Sequence, residues 1–161
     1  MKAALMVLAT VLVSGCASQS YDYTAITTTT STVTTTEPRV IAAGDATKYM
    51  RFSKADYQRS LADGKTIHLY FYANWCPICA EERPKIFAAY GRLNYTDVVG
   101  YEVHYNDNEV TADDAYATKL FQIPYQHTTV ILDKGGAVSF KSFAAIGTER
   151  LISEIERARG V

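Results

Sequence analysis

The segment Ile67-His68-Leu69-Tyr70-Phe71-Tyr72-Ala73, running straight into Asn74-Trp75-Cys76-Pro77-Ile78-Cys79, constrains this chain more than any other feature. Its first part is short, apolar and aromatic, and Asp63-Gly64-Lys65 bounds it, so it predicts a buried strand. A strand that ends at Cys-x-x-Cys puts Cys76 at the mouth of the next helix and Cys79 one turn further on. Proline at position 77 fits the first helical turn, where its missing N–H loses no bond. Unpaired backbone N–H groups and the positive end of the helix macrodipole favour thiolate over thiol at such a mouth. Thiolate is the nucleophilic form, and motifs of this kind lower a cysteine pKa from ~8.5 to between ~3.5 and ~7.5. A second thiol on the following turn can then resolve a mixed disulfide.

Cys-x-x-Cys is also half of a zinc site, which needs two further ligands at suitable spacing. The only other cysteine is Cys16, and His68, His104 and His127 are scattered singly. Redox chemistry is therefore the expectation, with no cofactor beyond a redox-active Cys76–Cys79 disulfide. The 161 residues carry a net charge of −1, and no basic stripe interleaves with aromatics, so nucleic acid is not an expected partner. With 12 tyrosines and 6 phenylalanines there is ample material for one core.

The N-terminus reads as export and attachment. Lys2 precedes the apolar run Ala3 to Val13, the length of a signal-peptide core and too short for a comfortable membrane span. The run closes with Val13-Ser14-Gly15-Cys16, which resembles a bacterial lipobox. Residues 1–15 are then a lipoprotein signal peptide, and Cys16 is the lipidated N-terminus of the mature chain. Ala17 stands where an aspartate often retains lipoproteins on the inner membrane, which weakly favours an outer membrane, facing the periplasm in a diderm bacterium. Residues 16–39 form the linker, with threonine at eight of the ten positions 27–36 and Pro38 near its end. Threonine this dense has nothing apolar to bury, so an extended stalk is expected.

Residues 40–161 carry the folded domain. Ser53 is the expected N-cap of a helix over 54–62, closed by Gly64. After the strand at 66–72 come a helix from Cys76 to about Tyr90, ended at Gly91, and a strand over 97–105. The polar turn Asn106-Asp107-Asn108-Glu109 leads to a helix over 112–120. Strands at 128–132 and 137–143 are joined by Asp133-Lys134-Gly135-Gly136 as an antiparallel hairpin, and a last helix spans 149–157. Strands alternating with helices imply parallel pairing in the first part.

This order resembles the thioredoxin fold over about residues 49–157. The resemblance is carried by Phe71-Tyr72-Ala73-Asn74-Trp75-Cys76-Pro77-Ile78-Cys79, by Pro84 within the following helix, and by Val130-Ile131-Leu132-Asp133-Lys134-Gly135-Gly136 with Gly147. It implies an α/β fold with a central mixed sheet of about four to five strands flanked by helices. With the export signal, the chain is most similar to membrane-tethered, extracytoplasmic thioredoxin-like thiol–disulfide oxidoreductases. By that resemblance Cys76 attacks, Cys79 resolves, Trp75 shields the disulfide and offers an apolar docking surface, and Pro77 and Ile78 tune the potential. The implied partners are protein dithiols and disulfides, an electron-donor thiol protein, and the membrane through the lipid.

Two departures stand out. Thioredoxins carry a buried aspartate six residues before the first cysteine; here that position is Tyr70, so either another group such as Glu81 or Glu82 serves through water or the step is slower, and both glutamates read first as solvated helix-face charges. The family's cis-proline opposite the disulfide falls, in ungapped register, on His127 with Thr128 after it, while a shifted register would make Pro124 that proline. In the ungapped register His127 and Thr128 join the active-site surround, and His127 stands beside Cys76 with an ordinary trans bond. The imidazole could then stabilise charge on the sulfur. Alternatively, Cys76, Cys79 and His127 could hold a thiophilic ion such as copper, which would make the domain a metal-binding or chaperone module.

Overall fold

The computed structural model describes residues 40–160, and the segments read as signal peptide, lipidated Cys16 and threonine-rich linker lie outside them. Six strands and four helices follow one another as β1 (Val40–Ala43), β2 (Lys48–Arg51), α1 (Lys54–Ala62), β3 (Thr66–Tyr72), α2 (Pro77–Arg92), β4 (Val98–His104), α3 (Ala112–Leu120), β5 (Thr128–Leu132), β6 (Val138–Ser142) and α4 (Gly147–Arg159). They form one mixed sheet in the order β1-β2-β4-β3-β5-β6. β3 lies parallel to β4 and antiparallel to β5, β2 is parallel to β4, and both edge strands pair antiparallel. No helix among the described residues is long and apolar enough to cross a membrane.

The expected four to five strands are therefore six. The two additional ones, β1 and β2, are four residues each. Runs that short show neither clear alternation nor length, and β1 is an edge strand with half of its residues exposed. The remaining boundaries differ by a few residues. Gly91 does not end α2, which continues through Arg92 to an extended cap at Leu93. Ser53 caps α1 as its type suggests, its hydroxyl accepting from the Asp56 amide.

Because β3 sits at the centre, its alternate residues feed two cores. Ile67, Leu69 and Phe71 join Tyr57 of α1 and Ala117 of α3 on one face. Tyr70 joins Ile86, Ala89 and Tyr90 of α2 and Leu151 and Ile155 of α4 on the other. Beneath α2 the rings of Tyr49, His68 and Tyr90 pile together, with centroids 5.0 to 6.0 Å apart. The pile needs an empty position next to it. Gly100 pairs with His68 across the sheet. A Cβ there would stand 2.0 Å from the Tyr90 hydroxyl and 2.6 Å from Cδ2 of Tyr49.

Candidate active site

Central burial of β3 delivers a rigid strand end to Ala73, which is itself buried. The chain turns over Asn74 and Trp75, with the Cys76 amide closing onto the Ala73 carbonyl at 3.1 Å. Cys76 is the N-cap of α2 in extended conformation, and Pro77 takes the first helical position. Its sulfur receives the Cys79 backbone N–H at 3.3 Å. That is the bond a capping oxygen would make, here directed at a sulfur that can carry negative charge.

Both cysteines are free thiols and both are buried. Burial pushes the Cys79 thiol up to about 11, its hydrogen bond to Cys76 adds to this, and the Ala73 backbone N–H and Tyr70 hydroxyl act against it. The two sulfurs thus differ in environment. Cys76 sits at the helix mouth receiving an N–H, while Cys79 is kept protonated inside the first turn. Around them the surface is apolar: Trp75 is 54% exposed and Ile78 45%, unusual for residues of this size.

The loop before β5 completes the site from 51 residues away. His127 has φ +53, a left-handed conformation that disfavours a non-glycine residue by about 1 kcal/mol. In that conformation its Nδ1 stands 3.8 Å from the Cys76 sulfur. The imidazole leans on Tyr125, and Tyr125 on exposed Phe143, with centroids 5.3 and 5.6 Å apart. Sγ of Cys76, Sγ of Cys79 and one imidazole nitrogen of His127 lie within 4.8 Å of one another.

The fold has counterparts among solved structures. Trxlp from Edwardsiella tarda EIB202 matches 66% of this chain and 97% of its own, with a TM-score of 0.57 and 18% identity. The fold is thioredoxin-like. A point mutant of thioredoxin from Halobacterium salinarum NRC-1 matches at TM-score 0.55 and 15% identity, covering 73% of this chain and 94% of its own. Thioredoxin from Aeropyrum pernix gives 0.54 and 14%, covering 76% and 96%. No protein-family profile matches the sequence, and no curated protein matches it at the sequence level.

Within this thioredoxin-like frame the departures acquire geometry. No peptide bond among the described residues is cis, so Pro124 is trans. It is exposed, and its carbonyl accepts the Tyr105 hydroxyl at 2.7 Å. Thr128 is buried and its hydroxyl donates to the Tyr125 carbonyl at 2.8 Å, so that group closes the loop. Tyr70 is fully buried, with its hydroxyl coupled to the Cys79 sulfur but in no hydrogen bond of ordinary geometry. Burial first, and then the charge and hydrogen-bonding of Cys79, hold this phenol far above its usual range, so it stays protonated and cannot replace a carboxylate base.

Glu82 corrects the sequence reading. It is not a solvated helix-face charge but is 2% exposed, and its Oε1 accepts the backbone N–H groups of Ile146 and Gly147 at 2.9 and 2.8 Å. Ile146, the N-cap of α4, supplies no side-chain cap of its own. A carboxylate from α2 therefore caps α4 and meets the positive end of its dipole. Glu81 is exposed, as expected.

Sequence reasoning passed over the group behind Trp75. The indole Nε1 donates to the Asn106 carbonyl at 2.9 Å, and the Asn74 amide donates to Asp107 at 3.0 Å. Asp107 also accepts from His104, with Nδ1 2.8 Å from Oδ2. The only signal available was the run Asn106-Asp107-Asn108-Glu109, which reads as a polar turn and nothing more.

Proposed function

We propose that this protein is a thiol–disulfide oxidoreductase acting on protein disulfides, as a reductant or isomerase, held by a lipid on Cys16 outside the cytoplasmic membrane. The observation that carries this reading is the inequality of the two thiols. Cys76 is capped by a backbone N–H at an apolar surface, while Cys79 is buried and protonated directly behind it. In the reductive direction, the Cys76 thiolate attacks one sulfur of a substrate disulfide. A mixed disulfide forms and the other substrate sulfur leaves as thiolate. Cys79 then loses its proton and attacks Cys76, forming the Cys76–Cys79 bond and releasing the second substrate thiol. The enzyme has given up two electrons, and a donor dithiol protein must return them. Exposed Trp75 and Ile78 supply a surface for apolar side chains flanking the substrate cysteine.

A second reading has its own observation, the convergence of Cys76, Cys79 and His127. Two thiolates and an imidazole suit a soft ion such as copper(I). An ion would need both sulfurs as thiolates, whereas burial keeps Cys79 protonated, so the dithiol reading is preferred. One preparation tests both. The reduced protein is expected to catalyse reduction of insulin disulfides by dithiothreitol and to elute from purification with copper or zinc without a stoichiometric ion. Inactivity on insulin combined with one bound ion per chain would reverse the choice.

Attachment has a simpler test. Cys16→Ser is expected to move the protein from the membrane to the soluble fraction. Retention of that variant on the membrane would mean an uncleaved apolar segment holds the chain instead of a lipid.

A further inference from the structure

β3 and β4 are parallel neighbours, with Tyr72 opposite His104 at their ends. The loops that follow them therefore emerge side by side, one carrying Asn74 and Trp75 and the other Asn106 to Glu109. Four hydrogen bonds join the two loops. Besides the contacts of the Trp75 indole and the Asn74 backbone amide, the Asn74 side chain donates to Asn108 Oδ1 at 2.6 Å and to Glu109 Oε1 at 3.2 Å. Among the described residues, no other region bonds to the turn before Cys76 so densely.

At the base of this junction lies His104, buried at 2% exposure. Its Nδ1 donates to Asp107, whose side chain is fully buried and which also accepts the Glu109 and Asn74 amides. Its Nε2 faces Glu102 Oε1 at 3.7 Å and Glu109 Oε2 at 3.9 Å. Its backbone N–H donates to Asp114 of α3, and its ring meets Tyr72 edge-on at 5.2 Å. Arg83 of α2 holds Glu102 through two bonds of 2.8 and 3.1 Å, so the charge of Glu102 is compensated independently of His104. Asp107 is different: its only cationic or side-chain partner among the hydrogen bonds described is His104. That imidazole joins the Asn74 and Glu109 amides in holding the buried carboxylate in place.

We propose that His104 and Asp107 are positioning residues of the redox centre, forming a latch that fixes the Asn74–Trp75 turn and so sets where the indole stands beside Cys76. This rests on the oxidoreductase reading for its catalytic consequence, though not for its structural one. A substrate docked on Trp75 must present its disulfide to a sulfur one residue away. A turn free to shift by an ångström lowers productive encounters without altering either thiol, and displacements of that size can cost up to about 100-fold in rate.

The chain has one tryptophan, so Trp75 emission reads the latch directly. His104→Phe keeps a ring against Tyr72 and removes the donor. His104→Asn places an amide N–H where Nδ1 stood and restores it. In the reduced full-length protein, His104→Phe is expected to shift Trp75 emission and lower kcat/KM for insulin about ten-fold. Alkylation of Cys76 by iodoacetamide should change less than about two-fold, since the cap on its sulfur is untouched. His104→Asn should return emission and kcat/KM to near wild type. Equal behaviour of the Phe and Asn variants, or unshifted emission in the Phe variant, would overturn the proposal. Asn74→Ala, at an exposed position, covers the case in which His104→Phe does not fold. It removes two of the four loop-to-loop bonds and should move emission and kcat/KM in the same direction, and no movement there overturns the latch as well. Should wild type itself fail to reduce insulin, the oxidoreductase reading falls while Trp75 emission still decides the latch.

Discussion

Cys79→Ala is expected to accumulate covalent one-to-one complexes with substrate proteins, whereas Cys76→Ala accumulates none. The asymmetry follows from the environments of the two sulfurs. With its thiol pushed up to about 11, Cys79 is thiolate in only about one molecule in 10⁴ at pH 7, too few to open a disulfide from outside. It is also fully buried, so a protein substrate cannot reach it. On the proposed mechanism, Cys76 is expected to do the attacking in both the wild type and the Cys79 variant. Without Cys79 the mixed disulfide has no neighbour to break it, and steady-state insulin turnover should fall to below about one-hundredth. Formation of the mixed disulfide also removes the Cys76 thiol that contributes to holding Cys79 protonated, which frees the second thiol at the step that needs it. Complexes captured with Cys76→Ala as readily as with Cys79→Ala, resolved by non-reducing electrophoresis, would refute the assignment of roles.

Stability should fall steeply in acid because of one histidine remote from the thiols. His68 is fully buried between Tyr49 and Tyr90, its Nδ1 shares a 3.1 Å bond with the Tyr90 hydroxyl, and its Nε2 has no partner. Burial lowers its pKa to about 3. In the unfolded chain it titrates near ~6.5. Above ~6.5 the ring is neutral in both states and adds no pH dependence. Between ~6.5 and ~3 the unfolded chain binds a proton that the folded chain refuses, so stability drops by about 1.4 kcal/mol per pH unit, approaching ~5 kcal/mol in all. That is comparable with the whole stability of many domains. His68→Phe should remove this limb. At pH 7 the variant leaves the Tyr90 hydroxyl unpaired, a loss of about 1 kcal/mol, and at pH 4 it should be the more stable protein. Urea midpoints measured at both values check the crossing; parallel curves would mean that His68 is protonated in the folded state.

What the sequence disclosed follows from how locally each feature is encoded. β3 was legible because its seven consecutive residues are almost wholly buried, and the β5–β6 hairpin because glycines mark its turn. Cys76 and Cys79 declare themselves through spacing. His127 could be placed only by counting along the strand that follows it, since nothing in its own neighbourhood marks it. β1 and β2 stayed hidden because four residues make neither a period nor a length. Glu82 was misread because polarity alone suggests solvent, and its partners, the amides of Ile146 and Gly147, lie more than sixty residues away in sequence. Asp107 and His104 were hidden for a related reason. A buried carboxylate and a loop carboxylate look alike until the neighbouring loop is in place.

The vacancy at Gly100 also bears on how this sequence can drift over generations. With Tyr90 and Tyr49 occupying the space that any side chain at position 100 would need, no larger residue is accessible there by a single step. A descendant with alanine at 100 must first, or simultaneously, give up bulk at 90, and losing the Tyr90 hydroxyl strips His68 of its hydrogen bond. Positions 49, 68, 90 and 100 are therefore tied together, so that a change at one constrains the others, while an exposed helix-face residue such as Glu81 carries no such tie. Distant descendants of this chain should be traceable by that quartet even where the residues between the two cysteines have changed.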